Sequence, residues 1–211
     1  MGSKRPRSIA RNDKLQTVAA ELFLKRGYDG VTIDKIVELA GGSKSTVYSE
    51  FGGKCGLFIS SIESLCRDFN EPLAKIDYTG LSLEESLKKL ASHILKLITS
   101  KRAVELHRLA ISEALNCPEV GQAWYFHGPA RTASFIRALL EERKGELQGI
   151  TMPVERLAVI LHDSLTGDVL YKLLAGVDGP YSDDTLSRIA SEIVELVIRG
   201  RLKKKQRSKT S

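Results

Sequence analysis

The feature of this 211-residue chain that most limits its fold is a pair of short helical segments punctuated by glycines between Thr32 and Gly53. Thr32 stands as an N-cap before Ile33, Ile36, Val37 and Ala40, whose spacing makes one apolar face, with Asp34 in the positively polarised first turn. Gly41-Gly42 breaks that helix; Ser43 caps another, anchored by Val47 and Phe51, and Gly52-Gly53 ends it. Two helices this short cannot bury their apolar faces alone. They need an earlier stripe, which Leu15, Val18, Ala19, Leu22 and Phe23 supply up to the stop at Arg26-Gly27. The expectation is a three-helix unit carrying a helix-turn-helix over Thr32 to Phe51. With Val47 and Phe51 inward, Ser45, Tyr48 and Ser49 share the outward face and Lys44 lies at the helix start. Small hydroxyls and a lysine there suit a DNA major groove, and the terminal backbone amides suit phosphate.

The rest of the chain keeps the helical period. Apolar stripes predict helices over about 54–75, from Ser82 (a capping box with Glu85), over about 103–115, from Pro118 to about 144, and over about 154–174 and 183–199. Gly128-Pro129 predicts a kink in the 118–144 helix, because proline removes a donor and clashes with the preceding turn. No alternating run is long enough for a strand. The expected fold is all-α, with nine helices: three short ones, then six longer.

Composition narrows the class. No window approaches the apolar length of a membrane span, and the first residues are polar and basic rather than signal-like. The three cysteines, Cys55, Cys66 and Cys117, are odd in number and widely spaced, which argues for reduced thiols in a cytosol and against a disulfide framework or a metal site. No nucleophile elbow, phosphate loop or paired carboxylate set stands out, so no catalytic residue, cofactor or metal is expected. The net charge of +6 is unevenly spread: residues 1–14 carry +4 and 199–211 carry +7, leaving −5 between them. Residues 15–56 are net neutral. Basic ends on a mildly acidic body fit arms that meet a polyanion, so the N-terminal arm is expected to supply much of the non-specific attraction.

Leu15 to Phe58 resembles the N-terminal domain of the TetR/AcrR family of transcriptional regulators. The resemblance lies in Ala19-Ala-Glu-Leu-Phe23 with Gly27-Tyr28, in Val31 to Ile36, in Ser43 to Tyr48 with Phe51, and in Lys54 with Leu57-Phe58. Gly42, Ser45 and Ser49 depart from the residues usual in the family, which bears on the base sequence bound rather than on the fold. The resemblance implies phosphate contacts at Thr32, Thr46, Tyr48 and Lys54 and base contacts at Lys44, Ser45 and Ser49, with Ser43 at the same helix start. Arg108 to Val120, Gly145 to Leu147 and Leu165 to Asp168 resemble the AefR-like C-terminal domain, which implies a ligand-binding and dimerising region. The organisation expected is therefore a basic arm (1–8), a DNA-binding domain (9–56), a ligand-binding and dimerisation domain (57–200) and a basic tail (201–211).

The broad apolar faces of the last two helices suit a four-helix dimer interface including Leu161, Leu165, Leu186, Ile189, Ile193 and Val197, with intrachain core as the other reading. Trp124-Tyr125-Phe126-His127 precedes the kink, and at most two of these four consecutive residues can line one cavity. Trp124, Tyr125 and His127, with His107, Arg108 and Ile111, are the pocket candidates, against core packing or ion pairing as their plainer roles. The expected partners are a double-stranded palindromic DNA operator, a second copy of the chain and a small apolar or amphipathic effector that relieves repression, with no membrane and a location in the bacterial cytosol. The alternative is a ligand-independent DNA-organising factor of the same fold.

Overall fold

The computed structural model describes residues 6–147, 149 and 151–199, with side chains from residue 10 onward. Its helices are α1 (Pro6–Arg26), α2 (Ile33–Ala40), α3 (Lys44–Phe51), α4 (Lys54–Ala74), α5 (Leu83–Thr99), α6 (Lys101–Glu113), α7 (Pro118–His127), α8 (Pro129–Glu142), α9 (Val154–Ala175) and α10 (Asp183–Arg199). A single 3₁₀ turn, Lys144–Glu146, follows α8, and the described residues contain no strand. The all-α expectation therefore holds. Pro129 does more than kink its helix: the segment separates into α7 and α8, which counted together make the nine helices expected. Pro6, whose missing N–H costs nothing at a first helical position, opens α1, so Pro6, Arg7 and Ser8 of the expected arm are helical in backbone. Lys4, Arg5 and the basic tail 201–211 lie outside the described residues.

The helices fall into two compact units. One contains α1–α4 with α6 and α7; the other contains α5, α9, α10 and most of α8. The units are thus drawn along a different line from the expected boundary between residues 56 and 57. In the first unit α1 packs on α4 and α2, α4 also meets α3 and α7, and one core joins Leu15, Phe23, Ile36 and Val47 to Leu57, Phe58, Leu106 and Val120. An aromatic knot locks the start of α4 to the end of α1: Phe58 lies 4.7 Å from Phe23 and 5.0 Å from Tyr28, centroid to centroid. Such pairs add about 0.5–1.5 kcal/mol each to the burial of the rings.

In the second unit α5 and α10 run antiparallel, as their ion pairs require. Arg199 at the end of α10 clasps Glu84 at the start of α5 through two bonds of 2.8 and 2.9 Å, and Lys96 near the end of α5 reaches Asp183 at the start of α10. Leu186, Ala190 and Val194, four residues apart, are the buried line of α10. The Ser82–Glu85 capping box forms as expected, with the Ser82 N–H donating to Glu85 Oε2 at 2.8 Å and the Glu85 N–H to Ser82 Oγ at 3.3 Å.

Candidate nucleic-acid interface

The turn between α2 and α3 depends on glycine. Gly41 and Gly42 have φ of 75° and 115°, which residues with a Cβ rarely adopt, and the Gly41 N–H closes α2 on the Val37 carbonyl. On either side sit side-chain caps: Thr32 Oγ1 accepts from the Lys35 N–H and Ser43 Oγ from the Thr46 N–H, each at 3.2 Å. Gly52, in the left-handed region, ends α3 with its N–H on the Tyr48 carbonyl. Val47 is fully enclosed while Phe51 is partly covered against the same core.

This places the expected DNA-facing residues unequally. Ser45, Tyr48 and Ser49 are exposed, Tyr48 at 60% of its surface, with its ring against Gly53, where an added Cβ would lie 3.4 Å from it. Ser43 Oγ is shared among Ser45 Oγ at 2.7 Å, Thr46 Oγ1 at 3.1 Å and the cap itself, and the Ser49 hydroxyl donates to the Thr46 carbonyl. Thr46 is only 8% exposed, so of its group it offers the least to an outside partner. Lys44 is exposed but pairs with Asp34 of α2 at 2.7 Å, and that hydrogen bond raises its pKa. Lys54 stacks over the Tyr28 ring, its ammonium 4.1 Å from the centroid. The face is small, hydroxyl-rich and electrically balanced.

At the other end of the same unit, α4, α6 and α7 enclose polar atoms. Trp124 Nε1 donates to His107 Nδ1 at 2.8 Å, so the neutral ring carries its proton on Nε2. Burial holds His107 neutral, pushing its pKa down to about 4. Its Nε2 is buried without a partner among the described residues, as is Asn70 Oδ1, although Asn70 Nδ2 donates to the Cys66 and His127 carbonyls. Asn70 was not picked out from the sequence; a polar residue on the inward line of α4 is the signal that marks it. Of the expected pocket residues only His107 and Trp124 converge. Arg108, Ile111, Tyr125 and His127 are exposed, because helical positions turn about 100° per residue and only one side of α6 and one side of α7 meet the core. His127 approaches Glu63 at 3.6 Å.

The expected interface residues also divide. Leu161, Leu165 and Leu186 are at most 2% exposed within the single chain, so they are core of the second unit and have no surface left for a partner. Ile189, Ile193 and Val197 stay partly open, beside exposed Leu196 on the same helix, while α9 exposes Val159 and Tyr171.

Comparison with known proteins agrees with this architecture. Residues 16–60 match the model for bacterial regulatory proteins of the tetR family, and residues 85–200 match that for the C-terminal domain of AefR-like transcriptional repressors. The chain is 28% identical over 175 residues to YdeS, an uncharacterised helix-turn-helix transcriptional regulator of Bacillus subtilis (strain 168), covering 81% of each protein. Among solved structures it is similar to a TetR-family regulator from Mesorhizobium loti (TM-score 0.76, 24% identity, 93% of this chain and 98% of that one). It is also similar to the flavonoid-responsive regulator FrrA (TM-score 0.74, 21% identity, 90% and 96%). No helix among the described residues is long and apolar enough to cross a membrane. The chain belongs to the TetR family of DNA-binding transcriptional regulators, with an AefR-like C-terminal domain, and is not an enzyme.

Proposed function

We propose that the chain is a repressor that binds a palindromic operator as a homodimer and leaves it when a small amphipathic effector binds. The observation that carries this reading is the outward face of α3, where Ser45, Tyr48 and Ser49 stand exposed between two capped turns. Lys44, Ser45 and Ser49 read base edges, while Tyr48, Lys54 and the helix start around Thr32 and Ser43 hold phosphate. Two copies place these faces about 34–36 Å apart, one turn of the duplex. The open parts of α9 and α10 (Val159, Tyr171, Ile193 and Leu196) form the contact between copies. The bacterial cytosol is the place of action.

The effector reading is supported by the corner at His107. A buried N–H without an acceptor favours a ligand that brings an acceptor on an otherwise apolar frame. Release requires that the ligand bind the DNA-incompetent state more tightly, typically by about 1–3 kcal/mol.

The test is direct. A duplex selected from a random pool with the purified chain is titrated against it and against Lys44→Ala and Tyr48→Ala. Loss of binding by folded, dimeric variants is expected, whereas unchanged affinity rules out α3 as the reading helix.

A further inference from the structure

The helix-turn-helix and the α6–α7 corner leave one feature unused. Cys55, in the first turn of α4, and Cys117, the N-cap residue of α7, are 62 residues apart in sequence, yet their sulfurs lie 2.8 Å from each other. Both are free thiols, both half-buried, and both belong to the first compact unit. A disulfide needs the sulfurs at about 2.05 Å, so closure requires a movement under ~1 Å. Glu119 Oε2 lies 3.5 Å from the Cys117 sulfur, and the Tyr28 hydroxyl, its pKa raised mainly by burial, feels both cysteines.

We infer that Cys55 and Cys117 form a modification site whose substrate is a hydroperoxide and whose product is an intramolecular disulfide. Burial, reinforced by the hydrogen bond to Cys55, pushes the Cys117 thiol up to about 12. The Glu119 carboxylate beside the Cys117 sulfur disfavours a thiolate there, which makes Cys55 the sulfur oxidised first. In the first step the Cys55 sulfur attacks the O–O bond, which breaks; the hydroperoxide leaves as an alcohol (or water) and Cys55 becomes a sulfenic acid. In the second step the Cys117 sulfur attacks the Cys55 sulfur and the S–O bond breaks. The departing hydroxide takes the Cys117 proton and leaves as water. The two thiols together lose two electrons and the peroxide gains them. A thiol reductant reverses the bond. Cys66 is 2% exposed, with its thiol pushed to about 12 by burial, and serves as the internal control.

The experiment uses the full chain and hydrogen peroxide. Treatment with a few equivalents should reduce the titratable thiols of the denatured protein from three to one. Non-reducing peptide mapping should find Cys55 joined to Cys117, and dithiothreitol should restore all three thiols. The Cys117→Ser variant, whose serine suits an N-cap, should stop at a Cys55 sulfenic acid that a 1,3-dione traps. Oxidation that yields only separate sulfinic or sulfonic acids, or only links between chains, overturns the inference. So does a Cys117→Ser chain whose Cys55 gives no trapped sulfenic acid under conditions that cross-link the parent.

Discussion

The two ends of the first compact unit handle polar groups in opposite ways. At the α2–α3 turn four hydroxyls sit at the surface with partners: Thr32 and Ser43 cap helices, and Ser45 and Ser49 bond to their neighbours. Between α4, α6 and α7 the polar atoms are few and buried, and two of them, His107 Nε2 and Asn70 Oδ1, are left without partners. A reading face gains nothing from strain, because water serves its groups until DNA replaces it. A buried donor without an acceptor costs about 1–3 kcal/mol, which a bound molecule can return as affinity. The difference teaches what each arrangement suits: partnered surface hydroxyls cost nothing to keep in water, whereas an enclosed imidazole with an unused N–H carries a standing penalty.

Cys55 and Cys117 join the start of α4 to the start of α7, and closing them is the largest perturbation on offer. A cross-link across 62 residues removes loop entropy from the unfolded chain worth about 4 kcal/mol in the chain-entropy view. The oxidised protein should therefore unfold at markedly higher urea than the reduced one, by equilibrium fluorescence of Trp124. If the two forms melt together, the bond strains the native unit by as much as it constrains the unfolded chain. Operator affinity of the two forms then tells whether the ends are coupled. That readout rests on the DNA-binding reading; the melt does not.

Next in size is the cost of keeping His107 neutral. Its pKa falls from 6.5 in the unfolded chain to about 4 in the folded one, so the unfolded state takes up a proton first as the pH drops. Stability is full above pH 6.5 and is lost progressively toward pH 4, by about 3 kcal/mol in all. His107→Asn, which retains an acceptor for the Trp124 N–H, should flatten that dependence in urea titrations between pH 7 and 4.5. A variant as acid-sensitive as the parent would place the titration elsewhere and remove the contrast between the two ends.

How far the sequence foretold this contrast depends on distance along the chain. Caps and glycine turns act over three or four residues, so Thr32, Ser43, Gly41-Gly42 and the bounds of α2 and α3 were legible, as was the capping box at Ser82. Periodicity says that α9 is apolar nearly all round, but not whether its own chain or another covers it; Leu161 and Leu165 proved to be core. Nothing local brings Asn70 beside α7, Cys55 to Cys117 or Asp34 to Lys44, since those meetings are made by the packing of whole helices. The run Trp124 to His127 looked like a cluster, yet helical geometry turned three of its four residues outward.

Tyr48 tests the reading face itself. A hydrogen bond from a hydroxyl to a charged phosphate is worth about 1.5–3 kcal/mol, so Tyr48→Phe should weaken operator binding roughly 10- to 150-fold per half-site. Its exposure means the melting temperature should not move. Ser43→Ala should cost less but touch both properties: loss of the α3 cap destabilises the fold by about 1 kcal/mol, and frayed amides at that terminus hold phosphate less well. A Ser43→Ala protein of full stability would mean that Ser45 and Thr46, already bonded to that hydroxyl, hold the turn without it.

The smallest effect is the most pointed. Lys44 is the one basic side chain in α3, and Asp34 holds its ammonium at 2.7 Å on an exposed surface. To meet a base edge Lys44 must exchange that carboxylate for DNA, so the pair acts as a restraint on a face whose charge is already balanced. Asp34→Asn removes the restraint and a negative charge facing the phosphates. Operator affinity should rise a few-fold at low salt, and the gain should shrink as the screening length falls from about 10 Å at 0.1 M toward 3 Å at 1 M. The fold should lose slightly, since Asp34 also favours the first turn of α2. A fall in affinity instead would show that Asp34 aims Lys44 into the groove. The pair would then preorganise the one charged contact that α3 supplies.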